Sequence, residues 1–163
     1  MIQSGVIDNN RYKIINKIGI GSSWEVFKVK DIKTGNYYSA KISRNIIDED
    51  TKDSTDLISL YRQANLMSFL NHPSVLKFFN FYLTNFEQEL FPTIITELAT
   101  NSSLSHIIDL ERQGCSPSLW NDTMKLINIS GIASGMSYLH AHDIIHCELK
   151  PENILLDDYL HPK

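Results

Sequence analysis

The sequence has little cysteine, no long apolar run and no block of charge of one sign. The two cysteines, Cys115 and Cys147, are too few for a disulfide framework and do not form a metal-type pair. No run approaches the roughly 20 apolar residues of a membrane span. The opening MIQSGVIDNN lacks the basic segment and apolar core of a secretory signal. We therefore expect a protein of a reducing, cytoplasmic setting with no membrane partner.

The balance of charge argues against nucleic acid as a partner. The formal net charge is −4, and the 15 Lys and Arg residues form no long block. Phosphate backbones are bound by clustered Lys and Arg side chains, which this sequence does not provide. With 42% apolar and 21% charged residues, the composition is that of a globular protein. The length suits one domain or two small lobes.

The first half of the chain predicts five strands and one helix. RYKIINKIG alternates, with Tyr12, Ile14 and Ile18 on one face, and WEVFKVKDI and YYSAKIS follow as strands around the turn KTGN. The helix comes next, capped by Ser54 or Thr55 and ended by NHP. VLKFFNFYL and LFPTIITEL then predict two more strands. The apolar positions of the helix are Leu57, Leu60, Tyr61, Ala64 and Met67.

From about Asn101 the pattern becomes helical, and this change is the one candidate lobe boundary. Ser102 or Ser103 is placed to cap a short helix that ends at Gly114. A long helix is predicted to follow SPS, at 116–118, and to run to about Ala141. Met124 and Ile127 lie off its apolar stripe. That stripe consists of Leu126, Ile129, Ile132, Ala133, Met136 and Leu139.

Two short motifs in the first half are candidates for phosphate binding. KIGIGSSWEV places Gly19 and Gly21 between two strands, where glycine lets backbone N–H groups approach phosphate oxygens. The alternative is a plain hairpin turn. Lys41 lies between apolar neighbours, where its ammonium could hold an anion at the mouth of a cleft. The alternative is a surface lysine on an edge strand.

The most specific motif is HCELKPENILL near the end of the sequence. Glu148, Lys150 and Asn153 fall on one tight loop. A carboxylate can accept a hydroxyl proton, a lysine can neutralise phosphate charge, and an asparagine can offer oxygen to a metal ion. The alternative is a turn before a buried strand at 154–156, which does not explain the order of the polar residues.

Taken together, these motifs resemble those of the protein kinase family, which has a glycine-rich loop, a lysine on the third strand and a catalytic loop. TGNYYSAKIS, LNHPSVLKF, IITELATNSSL and GMSYLHAHDIIH resemble its third strand, its helix-to-strand turn, its hinge and the helix before its catalytic loop. LKPEN resembles the Ser/Thr-specific branch. The resemblance covers residues from about Tyr12 to Lys163. It implies an α+β fold, with a complete five-stranded antiparallel N-lobe, its helix and the hinge in 1–100, and a truncated helical C-lobe in 101–163.

The resemblance also implies ATP as phosphoryl donor and a protein hydroxyl as acceptor. The glycines would cover the phosphates, and the lysine of the third strand would hold the α- and β-phosphates. Glu148 would be the catalytic carboxylate that accepts the hydroxyl proton, Lys150 would face the γ-phosphate and Asn153 would bind Mg²⁺. A threonine would be the gatekeeper before the hinge. The residues implied to bind ATP are Ile18, Gly19, Gly21, Val26, Lys41, Thr96, Glu97, Leu98 and Ala99.

Four substitutions depart from the family pattern. Trp24 stands at the third glycine, where its indole either fills phosphate space in the cleft or turns out to the rim. Gln63 stands where a helix glutamate would pair with Lys41. Cys147 replaces the arginine before the catalytic acid, and Glu148 replaces the catalytic aspartate. A glutamate is one methylene longer, and a misplacement of about 1 Å can slow a reaction on the order of 100-fold.

The last residue also bears on the expectation. The Asp-Phe-Gly metal site of the family would come just beyond Lys163, so we expect Mg²⁺ binding to be weak or absent. Three hypotheses remain open: a Ser/Thr-type kinase, an impaired kinase-like module that binds nucleotide or a protein partner, and a truncated product without a stable solitary state. The departures favour the second and third. An apolar stripe left partly uncovered on the long helix further predicts self-association, a partner, or loose packing of 101–163.

Overall fold

The computed structural model of the protein describes residues 11–44 and 54–163. Within these residues the chain forms two compact units. The first unit comprises residues 11–44, 54–70 and 77–98, and the second comprises 71–76 and 99–163. The change of composition near Asn101 lies just after this boundary.

The first unit contains a five-stranded sheet with the order β1-β2-β3-β5-β4. Every pair of neighbouring strands is antiparallel, and the first three strands form a meander. These strands confirm the prediction of an antiparallel N-lobe sheet. Their bounds are β1 Tyr12–Ile20, β2 Trp24–Asp31, β3 Tyr37–Ser43, β4 Phe78–Tyr82 and β5 Thr93–Glu97.

Strand β1 is less regular than its sequence pattern predicts. Its pairing with β2 shifts between Ile14 and Asn16 and again between Lys17 and Gly19. Each such bulge adds one residue and reverses the faces of the residues that follow. Tyr12 is buried, whereas Ile14, which precedes the first bulge, and Ile18, which lies at the second, are exposed, so the predicted common face of these three residues is wrong.

Successive residues of β4 and β5 point to opposite faces of the sheet, and each face carries an apolar cluster. Phe81 and Ile94 belong to one cluster, together with Ala64, while Tyr82 and Ile95 belong to the other. Ala64 lies in α1, Ser54–Phe69, and is fully buried. Because α1 ends before NHP, its predicted end is confirmed. The predicted cap and Leu57 lie outside the residues whose side chains are described.

The turn between β2 and β3 is organised by Asp31, which is buried. One carboxylate oxygen accepts the backbone N–H groups of Lys33 at 2.9 Å and Thr34 at 3.1 Å, and the other accepts Nε of Arg11 at 3.3 Å. Gly35 has φ +76°, which glycine adopts without strain. Burial alone would raise the pKa of Asp31, but the hydrogen bonds from Thr34, Arg11 and Lys33 outweigh it and hold that pKa below its ordinary value.

The second unit begins its helices with side-chain caps. Helix α2, Leu104–Arg112, is capped by Ser103, whose hydroxyl accepts the N–H of His106 at 3.4 Å. Gly114 follows it at φ +71°. Helix α3, Asp122–His140, follows SPS as predicted and is capped by Asn121. A turn between Pro117 and Trp120 buries the indole before the helix begins.

The predicted apolar stripe of α3 is wrong for several positions. Leu126 and Ile129 are 63% and 66% exposed, and Ala133 is exposed as well. Met124, predicted to lie off the stripe, packs instead against the buried cluster of this unit. The reason lies in two glycines of α3. A Cβ at Gly131 would lie 2.6 Å from Pro162, and one at Gly135 would lie 2.8 Å from the carbonyl oxygen of Ser74. The face of α3 that approaches the rest of the unit therefore combines these two glycines with Met124, Ile132 and Leu139.

Candidate nucleotide site and catalytic loop

The two glycines of the predicted phosphate loop lie in and just after β1. Neither has a positive φ, and a Cβ on Gly19 or Gly21 would meet its nearest atom at 3.5 Å or 3.7 Å, an ordinary contact. The fold itself therefore does not require glycine at these two positions. Close approach of a ligand to the backbone would require glycine, so the phosphate loop stays a prediction beside the plain hairpin.

Lys41 occupies the middle of β3, where it pairs with Val26 of β2 and Ile94 of β5. The alternative of a surface lysine on an edge strand is wrong, because β3 is an interior strand of the sheet. Its side chain is partly buried, and burial lowers the pKa of Lys41. Among the described side chains, those of residues 11–44 and 60–163, no carboxylate lies within ion-pair distance of its ammonium.

The nearest described partner of Lys41 is the indole of Trp24. The ammonium lies 4.7 Å from the ring centroid, in cation–π geometry. Trp24 is partly buried and packs against the cluster of Ala64, Phe81 and Ile94. The inward orientation, one of the two that the sequence left open, is the one observed. Gln63, expected opposite Lys41, is exposed.

The other residues assigned to the nucleotide differ in exposure. Ile18, a residue of the second β1 bulge, is exposed, while Val26 is partly buried. Thr96 is buried near the end of β5, and its hydroxyl donates to the carbonyl of Glu97 at 3.1 Å. The backbone of Glu97 also bonds to Lys77 in the first unit. Leu98 ends the first unit and Ala99 begins the second.

The structure brings together the three residues predicted for the catalytic loop. Lys150 Nζ lies 2.5 Å from Glu148 Oε1, and Asn153 Nδ2 donates to the Glu148 carbonyl at 3.0 Å and to Oε2 at 3.3 Å. A 3₁₀ turn at Pro151–Asn153 returns the amide toward the glutamate. The hydrogen bond from Lys150 is the main cause that lowers the pKa of Glu148, and the same bond raises the pKa of Lys150. The loop therefore carries an exposed ion pair at neutral pH.

The residue before the glutamate has an unusual backbone conformation. Cys147 has φ +63°, in the left-handed region that few non-glycine residues adopt, and its thiol is exposed. No residue pattern in the sequence predicts this conformation. The segment after the loop is buried, with Leu156 fully inaccessible, and it forms bridges to Ser103 and Pro162. The alternative interpretation, a turn before a buried segment at 154–156, is therefore compatible with the polar cluster of Glu148, Lys150 and Asn153. The two interpretations describe neighbouring parts of one loop.

Sequence reasoning missed Arg44 as a contact of the glycine turn. Its Nη1 donates to the Gly21 carbonyl at 3.2 Å and its backbone N–H donates to Ser23 at 2.9 Å. The only signal in the sequence is that Arg44 directly follows β3. In the part of the chain that the structure describes, three or more His, Cys, Asp or Glu side chains nowhere gather into a metal site. Nor is any helix there long and apolar enough to cross a membrane.

A comparison with known protein families matches residues 12–163 to the protein kinase domain. The chain belongs to the protein kinase domain family. Calcium-dependent protein kinase 4 of Plasmodium falciparum is 33% identical over 155 residues, which cover 94% of this chain and 27% of that protein. Ser/Thr-protein kinase RUNKEL of Arabidopsis thaliana is 29% identical over 154 residues, covering 94% of this chain and 10% of the relative.

A mammalian relative is also a Ser/Thr-protein kinase. Ser/Thr-protein kinase SIK1 of Rattus norvegicus is 29% identical over 150 residues, 90% of this chain and 17% of its own length. The chain thus spans between about a tenth and a quarter of the length of these relatives. Within the protein kinase family, the sheet with α1 corresponds to the N-lobe and the second unit to the part of the C-lobe that reaches the catalytic loop.

Proposed function

We propose that this chain is the nucleotide-binding part of a Ser/Thr-type protein kinase domain in which ATP binds weakly and phosphoryl transfer to protein hydroxyls is impaired. One observation carries the proposal: both lysines assigned to phosphate already have partners within the chain. Lys41 lies under the Trp24 indole, and Lys150 is paired with Glu148. A phosphate must displace or share these partners before it gains their charge.

The fit of the described residues to ATP is partial. Gly19 and Gly21 leave room against the backbone that a Cβ would fill, and Lys41 supplies a cation that burial makes costly to leave unpaired. Bound ATP would supply the transferable phosphoryl group. Trp24 opposes binding, because it lies on the ammonium that would contact the α- and β-phosphates.

The fit to Mg²⁺ is weaker. Asn153 would bind the ion through its amide oxygen, while its amide nitrogen donates to Glu148. Glu148 is the one carboxylate in contact with this amide among the described residues, and Lys150 already compensates its charge. A metal ion at Asn153 would therefore compete with Lys150 for the same carboxylate.

The acid–base chemistry of the loop is also weakened. A general base works best when its pKa lies near the operating pH, and the hydrogen bond from Lys150 moves the pKa of Glu148 further below neutrality. The extra methylene of glutamate lets the carboxylate fold back onto Lys150 and Asn153. A substrate hydroxyl would meet a carboxylate that is already satisfied.

Calorimetry and a phosphotransfer assay test the proposal on the purified chain. We expect millimolar rather than micromolar affinity for ATP with Mg²⁺, and transfer to a generic Ser/Thr peptide no faster than in a Lys41→Met control. Phosphoryl transfer that is faster in the unmodified chain than in Lys41→Met would contradict the proposed impairment. Absence of any nucleotide binding would contradict the nucleotide site.

A second candidate function, a protein-binding module, is favoured by a separate observation. Leu126 and Ile129 of α3, with Ile145 and Leu149 of the loop, are between 51% and 78% exposed. Exposed apolar side chains gathered in one unit favour association, and we propose a second copy of the chain as the occupant. Sedimentation should reveal dimers that Leu126→Glu disrupts. A monomer at all concentrations would contradict this proposal.

A further inference from the structure

The indole of Trp24 lies over the Lys41 ammonium, 4.7 Å from it, and this position bears on which ligands the nucleotide site accepts. We propose that Trp24 determines the specificity of this site by closing its phosphate part, so that the site binds an adenine nucleoside without preferring the triphosphate. The inference rests on the proposed nucleotide site and adds the ligand class that the site selects. It concerns the first unit alone.

The backbone around Trp24 is held by hydrogen bonds of the glycine turn. The carbonyl of Trp24 accepts the N–H of Gly21 at 2.8 Å. Arg44 fastens the same turn to the end of β3, through its side chain to Gly21 and its N–H to Ser23. The turn that would have to open over a triphosphate is therefore bonded on both sides.

The side chain of Trp24 is held by the interior of the unit. The indole packs against the buried cluster of Ala64, Phe81 and Ile94, which comes from α1, β4 and β5. Movement of the indole away from Lys41 would return part of this apolar area to water. The cation–π contact adds to this, since such a contact at a partly desolvated ammonium corresponds to roughly a 10-fold factor in an equilibrium constant.

The consequence differs for the two halves of a nucleotide. A phosphate that reaches Lys41 must take the place of the indole at 4.7 Å from the ammonium. Adenine and ribose do not need the ammonium itself, because the residues assigned to them, Ile18 and Val26, offer apolar side chains, although Val26 is the β2 partner of Lys41. The triphosphate therefore gains little from Lys41 while Trp24 is present.

The test compares adenosine and ATP binding by calorimetry in the full chain. We expect similar affinities in the unmodified chain, and in Trp24→Gly a gain on the order of 10-fold for ATP with adenosine changed by less than about 2-fold. The ATP gain should disappear when Lys41→Met is added. Trp24→Leu, which keeps apolar bulk for the cluster, should give a smaller gain and guards against a fold lost in the glycine variant.

A second measurement reports on the contact itself. Trp120→Phe leaves Trp24 as the one remaining tryptophan, since the sequence contains two. Inorganic tripolyphosphate should leave its fluorescence unchanged, because the indole keeps the anion from Lys41.

Three outcomes would overturn the inference. They are an unchanged ATP affinity in both Trp24 variants, an equal gain for adenosine and ATP, and an emission shift with tripolyphosphate that Lys41→Met abolishes. If neither ligand binds any variant, the proposed nucleotide site fails and this inference fails with it.

Discussion

The two units carry their charged groups in different surroundings. In the first unit, the Asp31 side chain is 1% exposed and Lys41 is partly buried. In the second, the side chains of Glu148 and Lys150 are 67% and 45% exposed. The hydrogen bonds of Asp31 measure 2.9 to 3.3 Å and those of Glu148 measure 2.5 to 3.3 Å, yet only the Glu148 carboxylate is open to water. Burial therefore decides what each of these two carboxylates contributes to stability: the bonds of Asp31 support the fold, whereas the exposed bonds of Glu148 contribute little.

The two lysines illustrate the same difference. An indole attracts the Lys41 ammonium but does not neutralise it, so a phosphate would gain charge compensation there only once the indole had moved aside. A carboxylate does neutralise Lys150, so a phosphate must compete with a group tethered two residues away. The barrier at Lys41 is therefore steric, whereas the barrier at Lys150 is electrostatic. Variants can separate the two.

The largest effect on stability is expected from Asp31→Ala in the first unit. The substitution leaves the N–H groups of Lys33 and Thr34 without their acceptor and removes the partner of Arg11. Loss of these bonds at a buried group should lower the free energy of unfolding by about 1–3 kcal/mol, as measured by urea denaturation. Asp31→Asn keeps an acceptor oxygen and should lose less. Equal stability of Asp31→Ala and the parent chain would contradict the claim that the buried carboxylate of the first unit stabilises the fold.

The pH dependence of this effect has a definite sign. The pKa of Asp31 is lowered in the folded chain, so its charge stabilises the fold above the ordinary pKa of an aspartate. That contribution is lost as the pH falls through the folded-state pKa. The stability difference between the parent chain and Asp31→Asn should therefore be full at neutral pH and shrink in acid. A difference that grows in acid would show that the carboxylate is not held ionised.

A smaller effect is expected from Gly135→Ala, which tests whether close packing rather than charge holds the second unit. The new Cβ would lie 2.8 Å from the Ser74 backbone oxygen, which cannot turn away as a side chain can. Overpacking typically costs about 1–3 kcal/mol, and the helix preference for alanine over glycine returns up to about 1 kcal/mol. Thermal unfolding should thus show a net loss. Ser130→Ala, at an exposed position of the same helix, is the control and should not be destabilising.

These packing contacts also explain which parts of the fold the sequence could predict. The five strands, the Ser103 cap and the cluster of Glu148, Lys150 and Asn153 follow from local pattern and spacing. The buried face of α3 does not, because Gly131 and Gly135 carry no apolar signal and their role depends on Pro162 and Ser74. Likewise, alternation along β2 places Trp24 on the face of Val26, but its contact with Lys41 depends on a cluster drawn from three other elements. Long-range packing decided what local pattern left open.

The smallest effect on stability, and the most direct probe of the exposed loop, is expected from Lys150→Met. The lysine hydrogen bond is the main cause of the lowered pKa of Glu148, so its removal should raise that pKa toward the ordinary value of a glutamate. A carbon-detected NMR titration of the side-chain carboxyl would measure the shift. Asn153→Ala, which removes the weaker bond at 3.3 Å, should raise the pKa less. Because the pair is exposed, neither variant should change the denaturation midpoint measurably.

If Lys150→Met left the pKa of Glu148 unchanged, the ion pair would not exist in solution, and Lys150 would be as free for phosphate as the kinase resemblance implies. If it unfolded the second unit instead, the loop would be a structural element, and the contrast with the buried carboxylate of Asp31 would fail.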